Sequence, residues 1–184
     1  MTINERKAVR DMMVAYNTDF AMQDEAKVNR IKKKFLMEFT VDVTAKPDYV
    51  LELLEVAYNE KNAEDVEWSM NIAGMFDLFS KDYLEILLKL LGEDWHYKHE
   101  DIVSVFQQFK IPESVDILYE TALKRFNYLE YDEFFALAVK CIWALGEIGT
   151  EKAKEKLKLL AQSDNEIIKD NALRQLERMQ LRGQ

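Results

Sequence analysis

The chain has 184 residues, of which 48% are hydrophobic, and it carries a formal net charge of −9 with a pI near 4.9. This length buries one substantial core, so we expect a single domain over 1–184. With 5 glycines and 2 prolines, the chain lacks the turn chemistry of sheet-rich folds, and the composition predicts an all-α protein. The acidic balance argues against a nucleic-acid ligand and favours a basic partner.

The predicted elements, taken in chain order, are amphipathic helices separated by short turns. Apolar residues at helical spacing predict a first helix over 4–20 and a second over 24–38, and both belong to an N-terminal cap over 1–45. Pro47 marks the start of a third helix, because proline suits the first turn of a helix. The later helices are predicted to form antiparallel pairs: 62–79 with 81–91, 97–109 with 112–125, and 134–149 with 150–162.

The last of these pairs contains the most regular pattern. Six apolar residues fall on one stripe of a helix that Gly149 ends, and Thr150 caps the next helix. They are Phe134, Leu137, Ala138, Cys141, Ile142 and Leu145. A shift of 31 positions places Ile168 on Leu137 and Ala172 on Cys141, which is a period typical of stacked helical repeats.

Ala144-Leu145-Gly146-Glu147-Ile148-Gly149, Ala153, Leu157 and the segment 164–172 resemble the HEAT-like repeats shared with bilin-lyase-type proteins. Asn165 and Lys169 stand where the family usually carries Asp and Arg. Glu177 replaces the family's glycine, as expected for a C-terminal capping helix over 163–184. The resemblance implies an α-solenoid, a superhelix of stacked antiparallel helix pairs over 46–162 between two caps.

Residues that carry chemistry are few. Cys141, the single cysteine, lies on the apolar stripe, which predicts a buried thiol rather than a nucleophile. His96 and His99 lie three positions apart beside Glu100 and Asp101, a spacing compatible with a metal site. The same carboxylates also complement the dipole of a helix that starts near Tyr97, and we expect no metal and no cofactor. Without a phosphate loop, a GxSxG motif or a Cys/His pair, we expect no enzyme.

Acidic and aromatic residues recur in the turns that lead from one predicted pair to the next. If the helices pair as predicted, these turns share one edge of the fold. Helix capping explains the acids and packing between repeats explains the aromatics, whereas a protein-binding surface explains both together. The candidate partner-binding residues are Glu93, Asp94, Trp95, Tyr97, Glu100, Asp101, Tyr128, Glu130, Tyr131 and Asp132.

The segment 83–179, with DWHYKHEDI, YLEYDE and KCIWALGEIGT, resembles small bacterial HEAT-repeat proteins, some of which look like immunity proteins against toxins. The resemblance implies a protein that binds a basic toxin domain and occludes its active site. Separately, we expect a monomer. A scaffold protein and a bilin-lyase-like chromophore carrier are the alternatives. The N-terminus lacks the apolar core of a signal peptide, and no window approaches the roughly 18 apolar residues of a membrane span. We expect a cytoplasmic protein.

Overall fold

The computed structural model describes residues 1–18 and 24–182, and every regular element in these ranges is helical. The all-α prediction is confirmed. Three short 3₁₀ turns, Lys81–Tyr83, Pro112–Ser114 and Asn127–Leu129, precede or separate the helices. The α-helices are α1 Ile3–Thr18, α2 Glu25–Glu38, α3 Asp48–Asn59, α4 Ala63–Met75, α5 Leu84–Gly92, α6 His99–Phe109, α7 Val115–Leu123, α8 Ala136–Ile148, α9 Glu151–Leu160 and α10 Glu166–Arg182. Among the helices described, none has both the length and the apolar character needed to cross a membrane.

The chain divides into two compact units, Met1–Ile86 and Leu87–Gln184. In the first unit, α1 packs on α2 and α4, and α3 packs on α4. Phe35 lies at the centre of an aromatic cluster, with ring centroids 4.6 Å from Phe39 and 5.3 Å from Phe76. The prediction of one domain over 1–184 stays a prediction.

In the second unit, α6, α8 and α10 pack side by side, since α8 contacts both of the others. Helices α7 and α9 contact each other and both contact α8, so they form a second layer against it. This two-layer arrangement of neighbouring helices is compatible with a solenoid. The centre is closely packed and apolar, with Ile102, Phe106, Leu118, Ile142, Leu145 and Leu157 almost completely buried.

Two of the predicted helix pairs differ from the packing that the structure shows. We predicted 62–79 to pair with 81–91, whereas α4 packs mainly on α3 and also on α1. We predicted 97–109 to pair with 112–125, whereas α6 and α7 each make their main helix contact with α8. Because every helix has a broad apolar face, the amphipathic pattern alone does not specify which neighbour covers it.

Helix ends account for the other differences. Helix α4 ends at Met75 rather than at 79, because Asp77 adopts a left-handed backbone conformation with φ 55°. Phe134 is 79% exposed, so its predicted place on the buried stripe is wrong. Phe135, with φ 53°, lies between it and the start of α8 at Ala136. Phe20, at the predicted end of the first helix, lies outside the described residues.

Other predictions for α8, α9 and the start of α10 agree with the structure. Gly149 ends α8 with φ 70°, and the Thr150 side chain accepts a hydrogen bond from the Ala153 backbone N–H. Ile168 and Ala172 are buried like Leu137 and Cys141, their counterparts across the 31-residue shift. Burial also raises the pKa of the Cys141 thiol far above its usual range, so the thiolate is disfavoured.

Candidate functional site

Two loops of the second unit carry most of the predicted binding residues. The 93–98 loop connects α5 to α6, and the 124–135 segment connects α7 to α8. Glu100 and Asp101 lie in the first turn of α6, directly after the 93–98 loop. We call the ten predicted residues on these loops and this turn the aromatic–acidic surface.

His96 and His99 form the buried base of this surface. Both side chains are 0% exposed, and their rings stack with centroids 4.2 Å apart and planes 12° from parallel. His96 Nε2 lies 2.7 Å from the Leu90 carbonyl oxygen, so this nitrogen carries the proton and donates it. The Lys98 backbone N–H donates to His96 Nδ1 at 3.1 Å. The neutral imidazole therefore has both ring nitrogens hydrogen-bonded.

His99 connects the two loops. Its Nε2 lies 2.7 Å from the Glu93 carbonyl oxygen and donates to it, while the Tyr128 hydroxyl lies 2.9 Å from Nδ1 and donates to that nitrogen. The Phe126 ring packs on the imidazole with centroids 4.0 Å apart. These contacts fix the 93–98 loop against the 124–135 segment through a single buried side chain.

Burial is the largest cause of the lowered pKa of both histidines, and it lowers the pKa of His99 to about 4. The positive charge of Lys124 acts in the same direction on both rings. Hydrogen bonds to the carbonyls of Leu90 and Glu93 oppose the shift. Both rings are therefore neutral near pH 7.

A metal site at this position conflicts with the geometry, because all four ring nitrogens of His96 and His99 already bind protein groups. In the part of the chain that the structure describes, there is also no group of three or more His, Cys, Asp or Glu side chains placed to hold a metal ion. The histidine pair is a structural element that supports the loops.

The structure brings three of the four predicted aromatic residues together around the histidine pair. Tyr97 packs edge-on against Tyr128 with centroids 5.3 Å apart, and it is 63% exposed. Trp95 packs edge-on against His96, and its Nε1–H donates to Glu93 Oε2 at 2.9 Å. Tyr131 lies farther along the 124–135 segment and is 91% exposed. Tyr97 and Tyr131 thus present most of their rings to solvent.

The six acidic residues divide into three groups. Asp132 accepts the backbone N–H groups of Phe134 and Ala136, so it caps α8 and is part of the fold. Glu100 pairs with Lys140 at 3.1 Å, Asp101 pairs with Lys98 at 2.9 Å, and Glu93 binds Trp95. Asp94 and Glu130 are exposed and form no ion pair within the ranges that the structure describes. Helix capping therefore accounts for the acidic side chain at Asp132. It does not account for those at Asp94 and Glu130.

Two supporting residues were missed from the sequence. Lys124 donates through Nζ to the Gly92 carbonyl oxygen at 2.9 Å and lies over the Phe126 ring, which ties the 124–135 segment to the end of α5. The Arg125 guanidinium stacks 3.9 Å from the centroid of the Phe135 ring. The run Lys124-Arg125-Phe126, in which two cations precede an aromatic residue, is the sequence pattern that could have indicated these cation–aromatic contacts.

Comparisons with protein-family models, with curated proteins and with solved structures found no match for this chain. The HEAT-like resemblance and the resemblance to immunity proteins consequently remain predictions from the sequence.

Proposed function

We propose that the chain is a protein-binding module that docks a basic protein domain on its aromatic–acidic surface. The observation that carries this proposal is the exposure of Tyr97 and Tyr131, at 63% and 91%, beside the exposed carboxylates of Asp94 and Glu130. Burial of a tyrosine ring in a partner supplies much of the energy of many interfaces. A tyrosine ring that stays in solvent, in contrast, contributes little to the stability of the fold.

The base of the surface favours binding because it is already ordered. Tyr97 packs on Tyr128, and Tyr128 is hydrogen-bonded to buried His99, so the 93–98 loop loses little conformational freedom when a partner docks. The chain's formal net charge of −9 attracts a basic partner over a distance, and nearby carboxylates favour Arg and Lys side chains at the interface.

The finer proposal is an immunity protein that neutralises a toxin in the cytoplasm by covering its active site. Domains that cleave nucleic acids bind phosphates with basic surfaces, and an acidic surface competes for the same side chains. The alternative is a scaffold protein, for which the same surface binds a basic partner whose activity the complex leaves unchanged.

The experiment is capture of partners on the immobilised protein from its source cell, at low and at high salt. The test variant carries Asp94→Lys, Glu130→Lys and Tyr131→Ala, and it spares Asp132 and Glu100 because both have roles in the fold. The control variant carries Glu55→Lys and Glu155→Lys, two exposed helix positions outside the surface.

We expect wild type and control to retain one basic protein that the test variant loses, with the circular dichroism spectra of all three unchanged. Inhibition of the partner's activity at one equivalent of this protein supports the immunity function, whereas full activity in the complex supports a scaffold. Equal retention by the test variant and the control would contradict the assignment of the surface.

A further inference from the structure

The two histidines of the chain are both buried at the base of the surface, and docking of a partner does not require them to titrate. Their hydrogen bonds have a definite polarity. His96 donates from Nε2 to a carbonyl and accepts at Nδ1 from the Lys98 N–H. Protonation of Nδ1 would place two N–H groups against each other at 3.1 Å, so His96 gains a proton only if the Lys98 backbone moves away.

His99 has a similar constraint. Its Nδ1 accepts from the Tyr128 hydroxyl, and a proton on this nitrogen requires that hydroxyl to turn and become the acceptor. The rings also stack at 4.2 Å, where two imidazolium ions would repel each other in a site without solvent. The closed arrangement therefore admits at most one added proton, and it places that proton on His99.

From this geometry we propose that the His96–His99 stack is an acid-sensitive latch: while His96 is neutral, the stack holds the 93–98 loop against Tyr128, and protonation of both rings releases the loop. The released loop carries Trp95 and Tyr97, so acid disassembles the aromatic part of the surface. This consequence for partner binding rests on the proposed function, whereas the latch itself is a property of the free protein.

Charged and titratable groups face the pair from each packed element. Glu93 and Asp94 of the 93–98 loop favour the protonated rings, and Lys124 after α7 opposes them. Tyr128 stays protonated, because burial, together with Glu100 and Asp101, raises its pKa to about 12. Lys98 directs its ammonium group to Asp101 at 2.9 Å. The experiment must therefore separate the histidines from the neighbouring carboxylates of Glu93 and Asp94.

The test is NMR of the free protein between pH 7.5 and pH 3.5, with the histidine ring resonances and the Lys98 amide as reporters. We expect both rings to titrate below 6.5, with His99 near pH 4. In the same range, protection of the Lys98 amide from hydrogen exchange should fall by at least about tenfold, while amides of α8 stay protected. Ring titration near pH 6.5, or titration of both rings with an unchanged Lys98 amide, would overturn the latch.

Two variants test whether the histidines cause the opening of the loop in acid. In His96→Asn/His99→Gln, an amide oxygen replaces Nδ1 as acceptor for the Lys98 N–H and an amide nitrogen replaces Nε2 as donor to Glu93, so we expect no opening in acid. If this variant does not fold, Glu93→Gln/Asp94→Asn decides, since the transition should persist without those two carboxylates. A transition that disappears in Glu93→Gln/Asp94→Asn contradicts the latch. A failed latch leaves partner capture at neutral pH intact, and a failed capture leaves the NMR transition intact, so the two proposals fail separately.

Discussion

At the residue scale, Asp132 shows how a residue of the candidate surface can be part of the fold. Its Oδ2 accepts the Ala136 N–H at 2.6 Å, and Oδ1 accepts the Phe134 N–H at 3.1 Å. We expect Asp132→Ala to lower the free energy of unfolding by about 1 kcal/mol, as loss of a helix cap does. Urea denaturation measures this change. Glu130→Ala is the control and should change stability by less than about 0.5 kcal/mol, because Glu130 is exposed. Equal effects would mean that Asp132 is no cap.

In the first unit, the carboxylate of Asp65 stabilises the fold, as that of Asp132 does in the second unit. It is 1% exposed and binds Arg6 through both carboxylate oxygens, at 2.8 and 2.9 Å. The Met1 amino group lies 2.8 Å from Oδ2. Burial alone would raise the pKa of Asp65, but the hydrogen bonds from Arg6 and the Met1 amino group outweigh it, and the pKa is lowered.

We expect Asp65→Asn to lower the free energy of unfolding by about 2 kcal/mol at pH 7, because it leaves Arg6 without its anion. A carboxylate with a lowered folded pKa contributes its full stabilisation above its unfolded value of 3.8, and this contribution disappears as the pH falls further. The difference between wild type and variant should therefore shrink below pH 4 in urea titrations. Glu64→Gln is the control, since Glu64 is half exposed and its contact with Arg10 is 3.8 Å long. A difference that is constant from pH 7 to 2 would contradict this account.

At the element scale, the helices were predictable and their pairing was not. The amphipathic pattern and the predicted cap at Thr150 located helices that begin within a few residues of the predicted positions. The C-terminal end of α4 and the start of α8 depend on Asp77 and Phe135, whose left-handed backbone conformations no periodicity reveals. Which helix covers which face depends on the whole unit, so the pairing required the structure.

The candidate site was predictable as a set of residues but not as a contact network. Acidic and aromatic residues in the turns indicated the 93–98 loop and the 124–135 segment. The bond from Tyr128 to His99 joins residues 29 positions apart, and no local pattern encodes such a contact. The spacing of His96 and His99 was also compatible with a pair of metal ligands, because the sequence does not show that backbone groups and the Tyr128 hydroxyl bind their ring nitrogens.

Close packing of α8 on α10 explains one glycine of the repeat motif. A Cβ added to Gly146 would lie 2.3 Å from Oε1 of Gln175, whose side chain is 2% exposed. We expect Gly146→Ala to lower the free energy of unfolding by about 1 to 3 kcal/mol through overpacking. In a Gln175→Ala background the same substitution should cost less than half as much, which a double-mutant cycle in urea measures.

Gly74→Ala is a matched control for this helix substitution. Its Cβ would meet the Phe79 ring at 3.8 Å, an ordinary contact, so the change should stabilise α4 by about 0.5 kcal/mol through helix propensity. Additive effects of Gly146→Ala and Gln175→Ala would show that the contact between α8 and α10 does not constrain residue 146.

At the scale of the whole molecule, charge and aromatic contact act on different stages of binding. The formal net charge of −9 belongs to the entire chain, and it accelerates encounter with any basic partner. A buried aromatic contact forms only after docking and mainly slows dissociation. Rate measurements can therefore separate the surface from the general charge of the protein.

With the captured partner, we expect Asp94→Lys/Glu130→Lys to lower the association rate constant about tenfold at low salt and to weaken its salt dependence. Tyr97→Ala should leave association nearly unchanged and raise the dissociation rate constant about 30-fold, the equivalent of about 2 kcal/mol for a central aromatic contact. Surface plasmon resonance at several salt concentrations measures both rates.

Glu55→Lys/Glu155→Lys changes the net charge by the same amount at other exposed positions, so it isolates the contribution of charge alone. If this control slows association as much as the test variant does, the partner senses only net charge. The aromatic–acidic surface would then not be its docking site.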